Sequence, residues 1–121
     1  MNLKENATTF LKLVIAGKID EAYEKYVDMK GTHHNVYFPP GFGNLRDAMK
    51  DNEAKFPKKK LQVKNTIQEG NLVAVHSHLQ MGEIEMTVVH MFRFNPKGKI
   101  CEMWDVGQQI LKDSPNTKGA F

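Results

Sequence analysis

The feature that most constrains this chain is the alternation of side chains from Leu72 to Gln108, broken at Gly82 and at Asn95-Pro96-Lys97-Gly98. A period of two specifies strand, because successive Cβ atoms point to opposite faces of a sheet. Ile84, Met86, Val88, His90, Phe92 and Phe94 form one row, and Glu85, Thr87, Val89, Met91 and Arg93 the other. The first row is apolar except for His90, so a titratable imidazole is set into the row expected to face the core. The Asn-Pro-Lys-Gly segment has turn chemistry, and the run that follows is expected to return as the antiparallel neighbour. On that run Cys101, Met103 and Asp105 share one face, and Ile100, Glu102, Trp104 and Val106 the other. With the first of these faces turned inward, the Asp105 carboxylate is partly desolvated and becomes a candidate acid/base.

The remaining chain is read around that sheet. Its 121 residues suffice for one domain, spanning 1–121, with a single core. A formal net charge of +3 is too small and too scattered to imply nucleic-acid binding, and the one basic run, Lys58-Lys59-Lys60, reads as a solvated loop before a strand. The single cysteine, Cys101, excludes an intramolecular disulfide and fits a reducing compartment. No apolar stretch approaches membrane-spanning length or a secretory signal, so a cytoplasmic protein is expected.

Asn2 followed by Glu5 predicts a capped first helix with Phe10, Leu11, Val14 and Ile15 as its apolar stripe, stopping at Gly17. Asp20 is expected to cap a second helix burying Ala22, Tyr23, Tyr26 and Val27. A loop from Thr32 to Gly43 mixes two histidines, an asparagine, aromatics and a Pro/Gly tail; it either packs its aromatics over the end of the core or forms a pocket rim with one histidine turned inward. Asn44 is expected to cap a third helix to about Phe56, with Leu45, Ala48, Met49 and Asn52 inside and Pro57 ending it. Four extended runs follow, at 60–69, 72–81, 84–95 and 98–110, and the polar tail with its terminal Phe121 is expected to fold over the surface or a neighbouring subunit. Three helices then a meander of strands is an α+β pattern. Apolar residues on the second sheet face, Val89, Met91, Trp104 and Val106, lead us to expect a homodimer through that face. His76 and His78 lie on one strand face, a spacing able to chelate a metal, but no companion ligand stands nearby in sequence, and no metal is expected.

Four segments together resemble the SnoaL-like polyketide cyclases of the NTF2-like superfamily over nearly the whole chain. They are His33-His34-Asn35 before a Pro/Gly segment and short helix; Val73-Ala74-Val75-His76-Ser77; Val89 to Phe94 with Gly98-Lys99-Ile100 and Glu102 to Val106; and Ser114-Pro115-Asn116 with the closing Phe121. The resemblance implies an NTF2-like cone, three N-terminal helices packed on a strongly curved antiparallel sheet that encloses a cavity. It implies that Asp105 acts as general acid/base with His90 beside it, in a cofactor-free aldol-type condensation, cyclisation or isomerisation of a small apolar carbonyl compound. Metal and organic cofactor are not required by that chemistry, and neither nucleic acid nor membrane is an expected partner. His34, Asn35, Phe38, His76 and Trp104 complete the candidate ligand-binding set.

Plainer readings stand beside these. Asp105 next to Trp104 is also what a structural carboxylate would look like, and His90 what a satisfied core histidine would. His76 and His78 also suit a solvent or dimer face. Cys101 has no sequence partner to activate it. A non-catalytic small-molecule-binding or dimerisation module is therefore the alternative; it predicts a cavity filled by Met49, Met86, Met103 and aromatics, with Asp105 satisfied by backbone.

Overall fold

The computed structural model describes all of residues 1–121. Helix α1 spans Leu3–Ile15, and the Asn2 side chain accepts a hydrogen bond from the Glu5 amide at 3.1 Å, as its sequence signature predicts. Gly17, at φ +82°, turns the chain into α2, Ile19–Tyr26. Asp20 does not cap α2; it lies in the first turn, where its charge suits the helix dipole, and pairs with Lys50. Helix α3 spans Phe42–Lys55 and begins one turn earlier than Asn44 suggests: Asn44 is inside the helix and donates to the Pro40 carbonyl at 2.8 Å.

Four strands match the extended runs: β2 (Lys59–Glu69), β3 (Leu72–Met81), β4 (Ile84–Phe94) and β5 (Ile100–Gln109). A fifth, β1 (Val27–His33), is not foreseen by the sequence pattern. It begins at Val27, which the helical periodicity assigns to α2. The sheet order is β1-β5-β4-β3-β2, antiparallel throughout except that β1 runs parallel to β5. The sheet is therefore mixed rather than purely antiparallel, and it remains open. Val-Asp-Met-Lys-Gly-Thr-His lacks a sustained apolar alternation, so its strand character comes from the β5 edge it pairs with, not from its own sequence.

One face of the curved sheet receives the helices. Phe10 of α1 meets Tyr23 of α2 and Phe92 of β4 edge-on, at 5.5 and 5.8 Å between ring centres, and Tyr23 meets Phe42 of α3 at 6.3 Å. These four rings, all essentially fully buried, tie every helix to the centre of the sheet. Val73, Val75, Phe94, Ile100 and Met103 complete the inner surface.

The β4–β5 pairing contains an extra residue. Arg93 pairs with Glu102 but Phe94 pairs with Ile100, leaving Cys101 as a bulge. Strict alternation would put Ile100 on the outer face with Glu102 and Trp104; the bulge resets it, so Ile100 is fully buried with Met103. Strand β1 crosses this bulge through Gly31, whose Cα lies so close that an added Cβ would stand 2.3 Å from the Cys101 carbonyl oxygen. The tail folds back over the outer face, where Phe121 sits 5.4 Å from the His76 ring and 5.0 Å from that of His78, under the Lys64 ammonium. No helix is long and apolar enough to cross a membrane. Because backbone rather than a flexible side chain blocks Gly31, Gly31→Ala is expected to destabilise the fold by about 1–3 kcal/mol, read as a lower denaturant midpoint at unchanged m-value.

Candidate active site

Between α1, α3 and the sheet's concave face lies a cavity of about 350 Å³, at the small end of ligand-binding pockets. Its walls are mostly aliphatic, and the loop carrying Val36, Tyr37 and Phe38 forms its rim. A shallower hollow beside Met1 and Pro96 has no titratable side chain in its lining.

The register of β4 and β5 decides what the cavity contains. His90 pairs directly with Asp105, so both side chains project from adjacent strands into the same space. His90 Nε2 lies 3.7 Å from Asp105 Oδ1, beyond hydrogen-bond length, with the two side chains 12% and 28% exposed. Beyond Asp105 the inner row of β5 continues as Gly107, which leaves room where a larger side chain would press on Met86 and Val88. The carboxylate's second oxygen, Oδ2, accepts a hydrogen bond from Asn35 Nδ2 at 3.1 Å. Asn35 is itself fixed: its Oδ1 accepts from the Tyr37 amide, and its own amide donates to His33 Nδ1, both at 3.1 Å.

His33 anchors this arrangement from beneath. Only 5% exposed, it holds Nε2 2.9 Å from the Pro39 carbonyl. A carbonyl only accepts, so Nε2 carries the proton, and Nδ1 is left free to accept from Asn35; both bonds require the neutral Nε2–H tautomer. The result is a chain from Pro39 through His33 and Asn35 to one edge of Asp105, with His90 at the other edge.

Burial holds His90 below its ordinary histidine range, and the Asp105 carboxylate opposes that shift only in part. His90 is therefore neutral at pH 7. Its Nδ1 is buried without a partner. Asp105 is less deeply buried than His90 and already accepts from Asn35.

The candidate residues fall into two groups. Asp105, His90, Asn35 and Phe38 line the cavity. His34, His76 and Trp104 do not; alternation carries them to the outer face. His34 stacks on Trp104 at 5.2 Å and pairs with Glu102 at 2.8 Å, while Arg93 reaches the same carboxylate at 3.1 Å. Those hydrogen bonds, His34 first, hold Glu102 below the usual carboxylate range. His76 contacts Thr87 at 2.9 Å and Asn65 at 3.2 Å, and His78 contacts Glu85 at 3.1 Å. No three His, Cys, Asp or Glu side chains gather as a metal ion would require. Of the two adjacent histidines it is His33, not His34, that turns inward, and only the unforeseen strand β1 could have signalled this.

Lys59 was also concealed in the sequence. Rather than sitting in a solvated loop it opens β2 with its side chain only 4% exposed, paired with Glu53 and donating to the Phe56 carbonyl at 3.0 Å. It lines the cavity.

The depressed histidine has a consequence for stability. The unfolded chain takes up a proton at His90 near the ordinary value, but the folded chain resists it until lower pH. Stability from this group is thus fully present above about pH 6.5 and is lost as pH falls below that value. Wild type should lose more stability than His90→Phe between pH 7 and pH 5 in parallel denaturation curves.

No family profile and no curated protein matches the sequence. Solved structures do match over most of the chain. A SnoaL-like polyketide cyclase from Agrobacterium tumefaciens superposes with TM-score 0.73 at 16% identity, covering 89% of this chain and 92% of that one. A SnoaL-like protein of unknown function from Burkholderia thailandensis gives 0.72 at 13%, covering 84% and 91%. An NTF2-like protein of unknown function from Burkholderia xenovorans gives 0.75 at 16%, covering 93% and 88%. At such identities the likeness is one of backbone, in agreement with the resemblance carried by the sequence segments. The chain has the NTF2-like fold.

Proposed function

We propose that the cavity is the active site of a small cofactor-independent enzyme that performs acid/base chemistry next to a carbonyl group. The observation that carries this reading is the convergence of Asp105, His90 and Asn35 at one end of an otherwise apolar cavity of about 350 Å³. The non-catalytic alternative calls for a cavity filled by methionines and an aspartate satisfied by backbone. Here Met49 and Met86 line the wall, Met103 lies in the core below, and Asp105 takes its hydrogen bond from a side chain.

In the proposed reaction Asp105 removes a proton from the carbon alpha to a ketone, and the electron pair moves onto the carbonyl oxygen. Asn35 keeps the carboxylate oriented while that proton transfers. A neutral His90 is a hydrogen-bond donor of suitable acidity for the developing enolate, and its apolar surroundings strengthen such a bond. The enolate carbon then attacks a second carbonyl in an aldol condensation or cyclisation, and the protonated Asp105 returns its proton to the new alkoxide. Reprotonation at a different carbon gives isomerisation instead. The separation of 3.7 Å between His90 and Asp105 leaves both free to bond to substrate rather than to each other. We place the protein in the cytoplasm, where its one thiol stays reduced, and assign the outer sheet face around Trp104 and Val106 to a second copy of the chain.

Alpha-proton exchange into deuterated water, followed by NMR on apolar aryl ketones and cyclic diketones, tests the proposal. Wild type should catalyse exchange, and Asp105→Asn should lose about 10²-fold or more. Asn35→Ala should lose less, because it misplaces the base without removing it. Binding of these ketones with no exchange by wild type would turn the site into a non-catalytic pocket.

A further inference from the structure

Lys59 is a second polar feature in the cavity that the acid/base reading does not use. Its ammonium carries three N–H donors. Glu53, in the last turn of α3, takes one, and the carbonyl of Phe56 at the helix C-terminus takes another. The side chain is 4% exposed, so bulk water does not readily serve the third, while the residue contributes to the cavity wall beside Asn52, Leu61 and Met81. Lys59 and Asp105 sit far apart in the sheet. Lys59 pairs with Met81 at one end of β3, whereas His90, the partner of Asp105, pairs with Val75 six positions away. At about 3.3 Å per residue this separates the two levels by roughly 20 Å of strand, which the long lysine stem partly closes.

We infer that Lys59 is a second anchor of this cavity, donating its third N–H to a neutral oxygen acceptor at the end of the ligand opposite Asp105. The inference rests on the proposed acid/base site and narrows its substrate class to apolar compounds with two separated oxygen functions, one at each end. A carboxylate head is disfavoured, because Glu53 already neutralises the ammonium and would repel a second anion. Lys59 is ion-paired with Glu53 beside a mostly apolar wall, and a charge-assisted donor there discriminates strongly between an acceptor and a hydrocarbon.

Calorimetric titration with three probes tests this: a naphthalene carrying acetyl groups at both ends, its isostere with one acetyl replaced by isopropyl, and the analogue with that acetyl replaced by carboxylate. Wild type should bind the diketone about tenfold more tightly than the isopropyl ketone, the value of one hydrogen bond to a charged donor. In Lys59→Met the ratio should fall to about one with the isopropyl ketone's Kd unchanged. Should loss of the lysine leave Glu53 unpaired and unfold the protein, the double variant Lys59→Met/Glu53→Gln carries the same expectation. Equal affinity for both ketones in wild type, a ratio that survives in the variants, or tightest binding by the carboxylate overturns the Lys59 assignment and leaves the Asp105 proposal intact. Failure of wild type to bind either ketone overturns both.

Discussion

The backbone contact between Gly31 and the bulged Cys101 governs which side chains can meet in this protein. A side-chain period of two forces every residue on β5 to one face or the other, and the strand has two demands to satisfy. Ile100 is buried against the helices, and Asp105 faces the cavity, yet their positions differ by an odd number. The extra residue reconciles them. It also bends the strand at the place where β1 must cross, which is why β1 carries glycine there. From this one irregularity follow the buried start of β5, the inward Asp105 and its pairing with His90.

Within the cavity, burial falls unequally on two neighbouring groups. It makes His90 neutral, which suits a hydrogen-bond donor and removes a cation that would otherwise hold the carboxylate tightly. Asp105 escapes comparable burial because it lies nearer the rim and is bonded to Asn35. The buried histidine that does have both nitrogens satisfied, His33, works as scaffold instead, fixing the loop from which Asn35 projects. Two inward histidines thus have different duties, distinguished by whether their ring nitrogens are already engaged.

The outer face shows the same alternation from the other side. His34, His76 and Trp104 are drawn there by register, and they join charged and polar partners, Glu102, Arg93 and Thr87, rather than a pocket. Their residue types do not decide between a ligand site and a surface cluster, since histidine and tryptophan serve both purposes. What decides between the purposes is facing, and facing depends on pairing partners distant in sequence. Lys59 makes the same point in reverse: in a run of three lysines nothing distinguishes it, and only the neighbouring end of α3 supplies the carboxylate and carbonyl that draw it inside.

The three helices, the four long strands, the Asn2 cap and the inward row of β4 with His90 in it were legible from the residues, because each depends on local periodicity or on a hydrogen bond within one turn. The sequence also brought Asp105 forward, since the antiparallel return after Asn95-Pro96-Lys97-Gly98 limits where that residue can face. Tertiary structure alone decided the existence of β1, the bulge at Cys101, the choice of His33 over His34 as the inward histidine and the burial of Lys59. Each of these is settled by contacts between segments far apart along the chain, where a backbone edge or an opposing charge outweighs whatever the residue would prefer in isolation.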